Sequence, residues 1–468
     1  MAARPQPIVD KERQERITEA KQQLVRAGVE YTFGAWVDVH GRPKGKFVPV
    51  ENFENLANGS EMYTVQAFDG MGILGPQAPD QAVLPDLDTL TIFPWDHRFA
   101  WMTGDLYWKG KPYEYCSRSI LKRNIEAAAA KGYAMNLGIE PEFYILRDGQ
   151  NGNRSEPFSS NDEGPCWAYD IESTLDSMVV LDDLRRCLDE LGWEVGSFDH
   201  EGGHGQFEFD FAFTDVLKMC DRFTFLRLMI KEVAKRHGAY ATFMPKPFAD
   251  DFRSGAHFNM SIVDAESGDN LMRSEKDPRG MGFSPLAYNF IAGLLKHARA
   301  IAAVAAPTVN SYKGLIPGGI DPTGVARDIS WAPVFVAYGD NNRALMLRLP
   351  HSRDCVENRV PDIATNPYWT AAMHLGAGLE GILGKQDPGD PQNVNLYEYG
   401  PQMLAKRGVS MLPRSLSEAL DSFEADPLAD QVLGAGPKEE YLLLKRGEWS
   451  KYHAVISDWE WERYAHFF

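Results

Sequence analysis

The chain is poor in cysteine. Its five, Cys116, Cys166, Cys187, Cys220 and Cys355, are scattered, odd in number and form no CxxC pair. Neither a disulfide framework nor a structural zinc site is indicated, and a reducing, cytoplasmic setting is expected. Positive charge is also scarce. Against 66 Asp and Glu stand 48 Lys and Arg, a net charge of −18. A sequence-independent nucleic-acid binder needs a basic face, so no nucleic-acid partner is expected. No apolar signal core opens the chain; residues 9–27 read as a polar helix. No run is suited to a membrane. The most apolar stretch, 290–309, holds Lys296, His297 and Arg299 and reads as a buried helix. Internal repeats and low-complexity segments are lacking too.

What is present is a globular composition of 468 residues, 44% hydrophobic and 24% charged, enough for two or three domains. Residues from about 30 to 111 mix short strands with Pro- and Gly-rich turns, which predicts a small sheet domain. Near Lys111 the character changes. A helix is predicted over 117–131, stopped by Gly132, and others over 181–191 and 216–237. From about Pro367 the chain reads as mostly helical, interrupted by a Pro/Gly/Asp-rich loop at 384–395.

Four short strands carry alternating polar residues: 138–144 (GIEPEFY), 205–211 (GQFEFDF), 255–263 (GAHFNMSIV) and 355–360 (CVENRV). Residues two apart on a strand share a face. Glu140 and Glu142 therefore pair, as do Gln206, Glu208 and Asp210, then His257, Asn259 and Ser261, then Cys355, Glu357 and Arg359. Phe207, Phe209, Phe258, Met260 and Ile262 fall on the opposite faces. Alternating charge on one strand usually marks the wet face of an amphipathic sheet. Recurrence on four strands suggests one polar cavity, with chemistry suited to hard divalent cations and phosphate.

The motifs GIEPEF, HEGGHGQFEFDF, ATFMPKP, SGAHFNMS, PTVNSYKGLIPG, AYGDNNR, ENRVPD with NPY, and NLYEY resemble the glutamine synthetase family in order and spacing, over nearly the whole chain. The resemblance is closest to its branch making γ-glutamyl amides of organic amines, of the γ-glutamylmethylamide or γ-glutamylanilide type. It implies an α+β fold. An N-terminal β-grasp domain with a leading helix would span 1–111. A catalytic domain over 112–468 would form a funnel-shaped site of antiparallel strands surrounded by helices. It also implies a homo-oligomer, expected as a dodecamer of two stacked rings, with active sites shared between neighbouring subunits.

By resemblance, Glu142, Glu201 and Glu208 would bind one divalent ion, and Glu140, His257 and Glu357 another. Two or three Mg²⁺ or Mn²⁺ per site are expected, with ATP as co-substrate. Two anions, ATP and a carboxylate, must meet, and divalent ions neutralise them. Arg343 would stabilise the transferring phosphoryl, Arg348 contact nucleotide phosphates, and Arg359 bind the phosphoryl or substrate carboxylate. Asn259 and Ser261 are nucleotide-contact candidates. Gly255 lies on the substrate side.

Departures from the family pattern bear on substrate choice. The family's arginine after NSYK, which grips the glutamate α-carboxylate, is Gly314 here, whereas a usual glycine is Arg253. Either the carboxylate-binding arginine has moved to Arg253, or Arg253 faces solvent and the acid substrate differs. A glutamate that attracts ammonium is replaced by Trp331, at the end of a longer loop, 317–331. Tryptophan suits an organic amine better than ammonium, unless it is a core residue in a shifted loop. Asp69, in the motif Phe68-Asp69-Gly70, would reach a neighbouring site and help deprotonate the amine. An arginine usual two residues before Glu357 is Cys355, and Arg353 would take over its nucleotide contact. Tyr397 matches a position that is adenylylated in some bacterial relatives; a plain loop tyrosine is the other reading. The expectation is a glutamate–amine ligase of amine assimilation or degradation, with glutamate and an alkyl- or arylamine as substrates. Ordinary glutamine synthetase and a catalytically silent family member are the alternatives.

Overall fold

The computed structural model describes residues 11–149, 155–162, 168–317, 319–320, 326–327 and 331–468. Strands gather into an eight-stranded and an eleven-stranded sheet plus one small ribbon, with helices packed around them. This is the α+β class that the sequence predicts.

The first sheet is built around Tyr31–Val37 (YTFGAWV), a β-branched and aromatic run that favours a pleated, buried surface. It pairs parallel to Phe99–Trp108, which pairs antiparallel to Gln81–Pro85. The helix Lys11–Arg26 lays Ile17 and Leu24 on a small core with Phe53, Leu56 and Met102. Its described part falls within the predicted polar helix.

The long strand Tyr133–Arg147 lies within the second sheet. One neighbour is Gln206–Phe211, followed by Val195–His200; the other is Ala256–Asp264, followed by Val356–Asn358, Leu345–Leu349 and Phe335–Asp340. Pairing is antiparallel except between the last two strands. Phe258, Met260 and Ile262 turn into the largest core, and Phe143, Phe207 and Phe209 into a second one. The opposite faces are thereby left to polar side chains.

Behind the sheet, the buried helix Pro367–Gly384 packs on Pro285–Lys296. A Cβ on Gly293 would stand 2.0 Å from the Ala377 carbonyl oxygen, and one on Gly381 2.1 Å from that of Asn289. Only glycine permits so close an approach.

Two helix boundaries differ from expectation. The helix predicted over 181–191 begins ten residues earlier, at Ile171–Glu190, because the Asp170 carboxylate accepts from the Ser173 amide and caps it. Its first half leaves Ile171, Leu175 and Val179 exposed, so no inward apolar stripe marked it. The apolar stretch 290–309 is not one helix. It breaks at His297 between Pro285–Lys296 and Ala298–Ala305. The His297 ring bonds Asp426 at 2.8 Å and Glu380 at 3.1 Å, which fixes the break in place. Among the described residues, Cys116, Cys187, Cys220 and Cys355 are free and buried, and no helix is long and apolar enough to cross a membrane. Cys166 lies outside the described residues.

Candidate active site

Strand register gathers the polar faces. Glu208 sits opposite Glu142, His257 opposite Glu140, and Glu357 opposite both Asn259 and Arg348. Apart from the fully buried Glu357, the row lines a cavity of roughly 1420 Å³. At its wall, Glu140, His257 and Glu357 offer ligand atoms all within 4.8 Å of one another, as do Glu142, Glu208 and His257, and Glu140, Glu208 and Asp210. His257 is the hinge of the first two groups. Its Nδ1 lies 3.3 Å from Glu140 and its Nε2 3.4 Å from Glu142. Glu201 lines the same cavity but belongs to none of these compact groups; its Oε2 accepts from the Gly202 amide at 3.1 Å.

Gly255 explains itself here. Its amide donates to Glu142 at 2.7 Å, and a Cβ on it would meet His257 Nε2 at 2.6 Å and Glu142 Oε1 at 2.9 Å. A side chain would fill the space between the ligand atoms. Oxygen donors with one imidazole around such a cradle fit Mg²⁺ or Mn²⁺.

The two sides of the cluster differ in charge balance. Glu357 is fully buried but meets Arg359 at 2.6 Å and Arg348 at 2.7 Å. Burial is the largest influence and would raise its pKa; Arg359, His257 and Arg348 together outweigh it and hold the carboxyl below the usual range. Glu140 is likewise held low against burial, by His257 and Arg353. Across the strand, burial and Glu201 push Glu142 up to about 8. Burial and Glu140 push Glu208 well up. Burial, then Arg359, pushes His257 down to about 4, leaving a neutral imidazole able to ligate. The Glu142–Glu208 side thus holds carboxylates bonded to no arginine, the pull of Arg253 and Arg359 on Glu142 being too small to offset its burial, and a cation there would relieve them.

The remaining predicted residues divide. Asn259, Ser261, Arg343, Arg348, Arg353, Arg359, Arg253 and Trp331 all line the cavity. Arg348 also donates to Asn341 Oδ1 at 2.7 Å. Arg253 does not face solvent. Its Nη2 donates to the carbonyls of Arg359, Val360 and Pro361 at 3.0–3.2 Å, and its buried Nη1 has no partner. Its aliphatic stem lies against Gly314, where a Cβ would stand 2.5 Å from Arg253 Cβ. Asp69 is exposed in its turn and is not among the cavity's lining residues.

Trp331 is about half exposed and faces the Arg343 guanidinium at 5.7 Å. It is not a core residue. Its φ of +42° is a left-handed conformation that a bulky residue adopts at a cost of order 1–3 kcal/mol. Most of the loop 317–331 lies outside the described residues. Tyr397 is not a free loop phenol; its hydroxyl donates to the Ala332 carbonyl at 2.6 Å.

Period two placed Asp210 on the Glu208 face without giving it a role. Sequence reasoning missed other lining residues, Asp199, Phe213 and Tyr169 among them. Asp199 sits opposite Glu208, and burial with Glu201 pushes its pKa up to about 6. Phe213 is exposed at the mouth, beyond the end of its strand. Tyr169 is exposed at φ +70° with its amide on the His200 carbonyl, a placement no local pattern announces.

The chain is similar to known proteins over nearly its whole length. Residues 114–464 match the family model described as glutamine synthetase, catalytic domain. The chain is 38% identical over 451 residues to a glutamate–methylamine ligase of Methyloversatilis universalis, covering 96% of this chain and 99% of that one. It is 33% identical over 435 residues to a glutamine synthetase of Rhizobium meliloti, covering 92% and 96%. Among solved structures, a GmaS–ADP complex superposes with a TM-score of 0.86 at 31% identity, covering 95% of this chain and 99% of that one. Apo GmaS without ligand gives 0.85 at 31% identity, covering 96% and 100%.

Proposed function

Since the chain belongs to the glutamine synthetase family of ATP-dependent carbon–nitrogen ligases, we propose that it joins the γ-carboxylate of glutamate to a small organic amine. The observation that carries this reading is the pair of carboxylate–imidazole groups sharing His257, set at the wall of one cavity with Trp331 and five arginines. Bound to Glu140, His257 and Glu357, and to Glu142 and Glu208 with Glu201 alongside, divalent cations would neutralise the anionic charge of ATP and glutamate.

The reaction has two steps. A γ-carboxylate oxygen of glutamate attacks the γ-phosphorus of ATP, and the bond to the bridging oxygen breaks, releasing ADP. The amine nitrogen then attacks the acyl carbon of γ-glutamyl phosphate, inorganic phosphate leaves, and the amine loses a proton. Arg343, Arg348 and Arg359 stabilise phosphoryl charge, and Arg353, Asn259 and Ser261 position the nucleotide. Arg253 binds a glutamate carboxylate; its buried, unpartnered Nη1 supports this role. Trp331 offers the amine an apolar and cation-accepting face in place of a charged flap. Proton removal falls to the partner subunit's Asp69. That assignment makes the active unit an oligomer with shared sites, expected as a dodecamer, divided at about residue 111 into an N-terminal and a catalytic domain.

Phosphate release with ATP, Mg²⁺ and glutamate, across ammonia, methylamine, isopropylamine, ethanolamine and aniline, tests the reading. An organic amine should exceed ammonia in kcat/KM. Burial of roughly 0.8 kcal/mol per CH₂ gives about three- to fourfold per methylene. Trp331→Glu should weaken that preference. Ammonia used as well as every amine would return the chain to ordinary glutamine synthesis.

A further inference from the structure

Trp331 is held in a conformation it would not adopt unaided, so something must hold it. The contact sits one residue along. Among the described residues, the Ala332 carbonyl accepts from the Val334 amide at 2.8 Å and from the Tyr397 hydroxyl at 2.6 Å. These partners differ in kind. The first belongs to the same turn. The second comes from a separate stretch 65 residues away in sequence.

That stretch is itself anchored. Tyr397 sits in the single turn Leu396–Glu398, capped by the Asn395 side chain, with Leu396 fully buried beneath it. Its ring lies 5.4 Å from Phe335. Asn342 donates to the carbonyls of Gln392 and Val394 at 2.9 and 3.0 Å. Segment 392–397 therefore grips the chain at Ala332, next to Trp331, and at Asn342, next to Arg343. Those two neighbours form the cation–aromatic pair at the cavity wall. Burial raises the Tyr397 pKa, so the phenol keeps the proton that it donates.

We propose that Tyr397 is a positioning residue for the amine side of the site, its hydroxyl holding the Ala332 peptide so that Trp331 presents its ring to the cavity beside Arg343. Without the hydroxyl, the Trp331 backbone can relax out of the left-handed region and carry the ring away. The consequence for amine choice rests on the function proposed above; the tether itself does not.

Tyr397→Phe removes the donor and keeps the ring on Phe335. It is compared with wild type, Trp331→Phe and the double variant. The first readout is the ratio of kcat/KM for methylamine over ammonia, with KM for ATP alongside. The second is the emission of Trp331 itself, taken as the difference between each protein and its Trp331→Phe counterpart. Loss of one neutral hydrogen bond predicts a fall in the ratio of about two- to tenfold, with KM for ATP unchanged. Trp331 emission should shift to the red as the ring becomes more solvated. In the Trp331→Phe background, Tyr397→Phe should leave the ratio where it was. An unchanged Trp331 emission, or an equal fall in that background, would overturn the proposal. If wild type does not favour methylamine, the amine reading fails, and the emission still decides the tether.

Discussion

Replacing Gly314 by alanine should raise the KM for glutamate, although residue 314 need not touch the substrate. The added Cβ would stand 2.5 Å from Arg253 Cβ, 3.0 Å from Cδ and 3.1 Å from Cγ. The nearest of these moves only with the main chain, and the guanidinium beyond it is tied to three carbonyls. Relief therefore shifts Arg253 as a unit and takes Nη1 off its aim. Overpacking of this kind destabilises by about 1–3 kcal/mol. A charge-assisted hydrogen bond to a carboxylate contributes roughly 1.5–3 kcal/mol, so its loss should raise KM for glutamate about 10- to 150-fold. Arg253→Ala should show the same rise directly. Arg253→Lys should recover only part, because an ammonium cannot serve the three carbonyls and the substrate in the geometry of a planar fork. The assay is phosphate release with glutamate titrated at saturating ATP, Mg²⁺ and methylamine, with KM for ATP measured in parallel. An unchanged glutamate KM in Arg253→Ala would refute the reasoning and reopen the identity of the acid substrate.

Glu357→Gln should abolish ATP-dependent phosphate release at any Mg²⁺ concentration, since it removes the carboxylate that Arg348 and Arg359 hold beside His257; retained turnover would contradict the two-ion reading. Mixing Asp69→Ala with Arg343→Ala subunits should restore activity that neither has alone, because some interfaces combine two intact halves; demonstrably mixed but inactive oligomers would count against a shared site. His374 is buried, with one nitrogen on the Thr370 carbonyl at 2.6 Å and the other on the Asn358 amide at 2.7 Å, and burial pushes its pKa down to about 4. An unfolded imidazole titrates near 6.5, so its contribution is complete above that pH and is lost as pH falls towards 4, on the order of 3 kcal/mol. His374→Gln should flatten the fall in urea midpoint over this window, and an unaltered slope would remove His374 as its cause.

Period two was enough to read three of the four polar faces, because a strand's alternation is local. It placed Glu140 with Glu142, Glu208 with Asp210, and His257 with Asn259 and Ser261. Register is not local. That Glu357 stands opposite Arg348 depends on pairing between separate strands, and a shift of one residue would reverse every face. Tyr169 and Trp331 were harder still: their left-handed backbones are imposed by surrounding contacts and carry no propensity signal. Trp331 drew attention only by departing from the family pattern. The exposed stripe Ile171, Leu175 and Val179 hid the first half of its helix, since periodicity was read as an inward face. Arg253 stood out by its position in the sequence, but that its stem lies on Gly314 depends on packing between separate segments that no local pattern shows.

The arrangement of charge also orders the site. Arg348, Arg353 and Arg359 surround Glu140 and Glu357, so that side is close to neutral before any ion or substrate arrives. Glu142 and Glu208 face each other across paired strands with Glu201 nearby and no arginine bonded to either. His257 belongs to both groups, so a change at either is felt through one imidazole. A cation entering the Glu142–Glu208 side removes repulsion, whereas one entering the other side competes with arginines already bonded there. Metal occupancy at the two sides should therefore differ in affinity. It should also depend on freeing Arg348 and Arg359 from Glu357, which the phosphates of ATP can accomplish by offering those guanidinium groups a better anion.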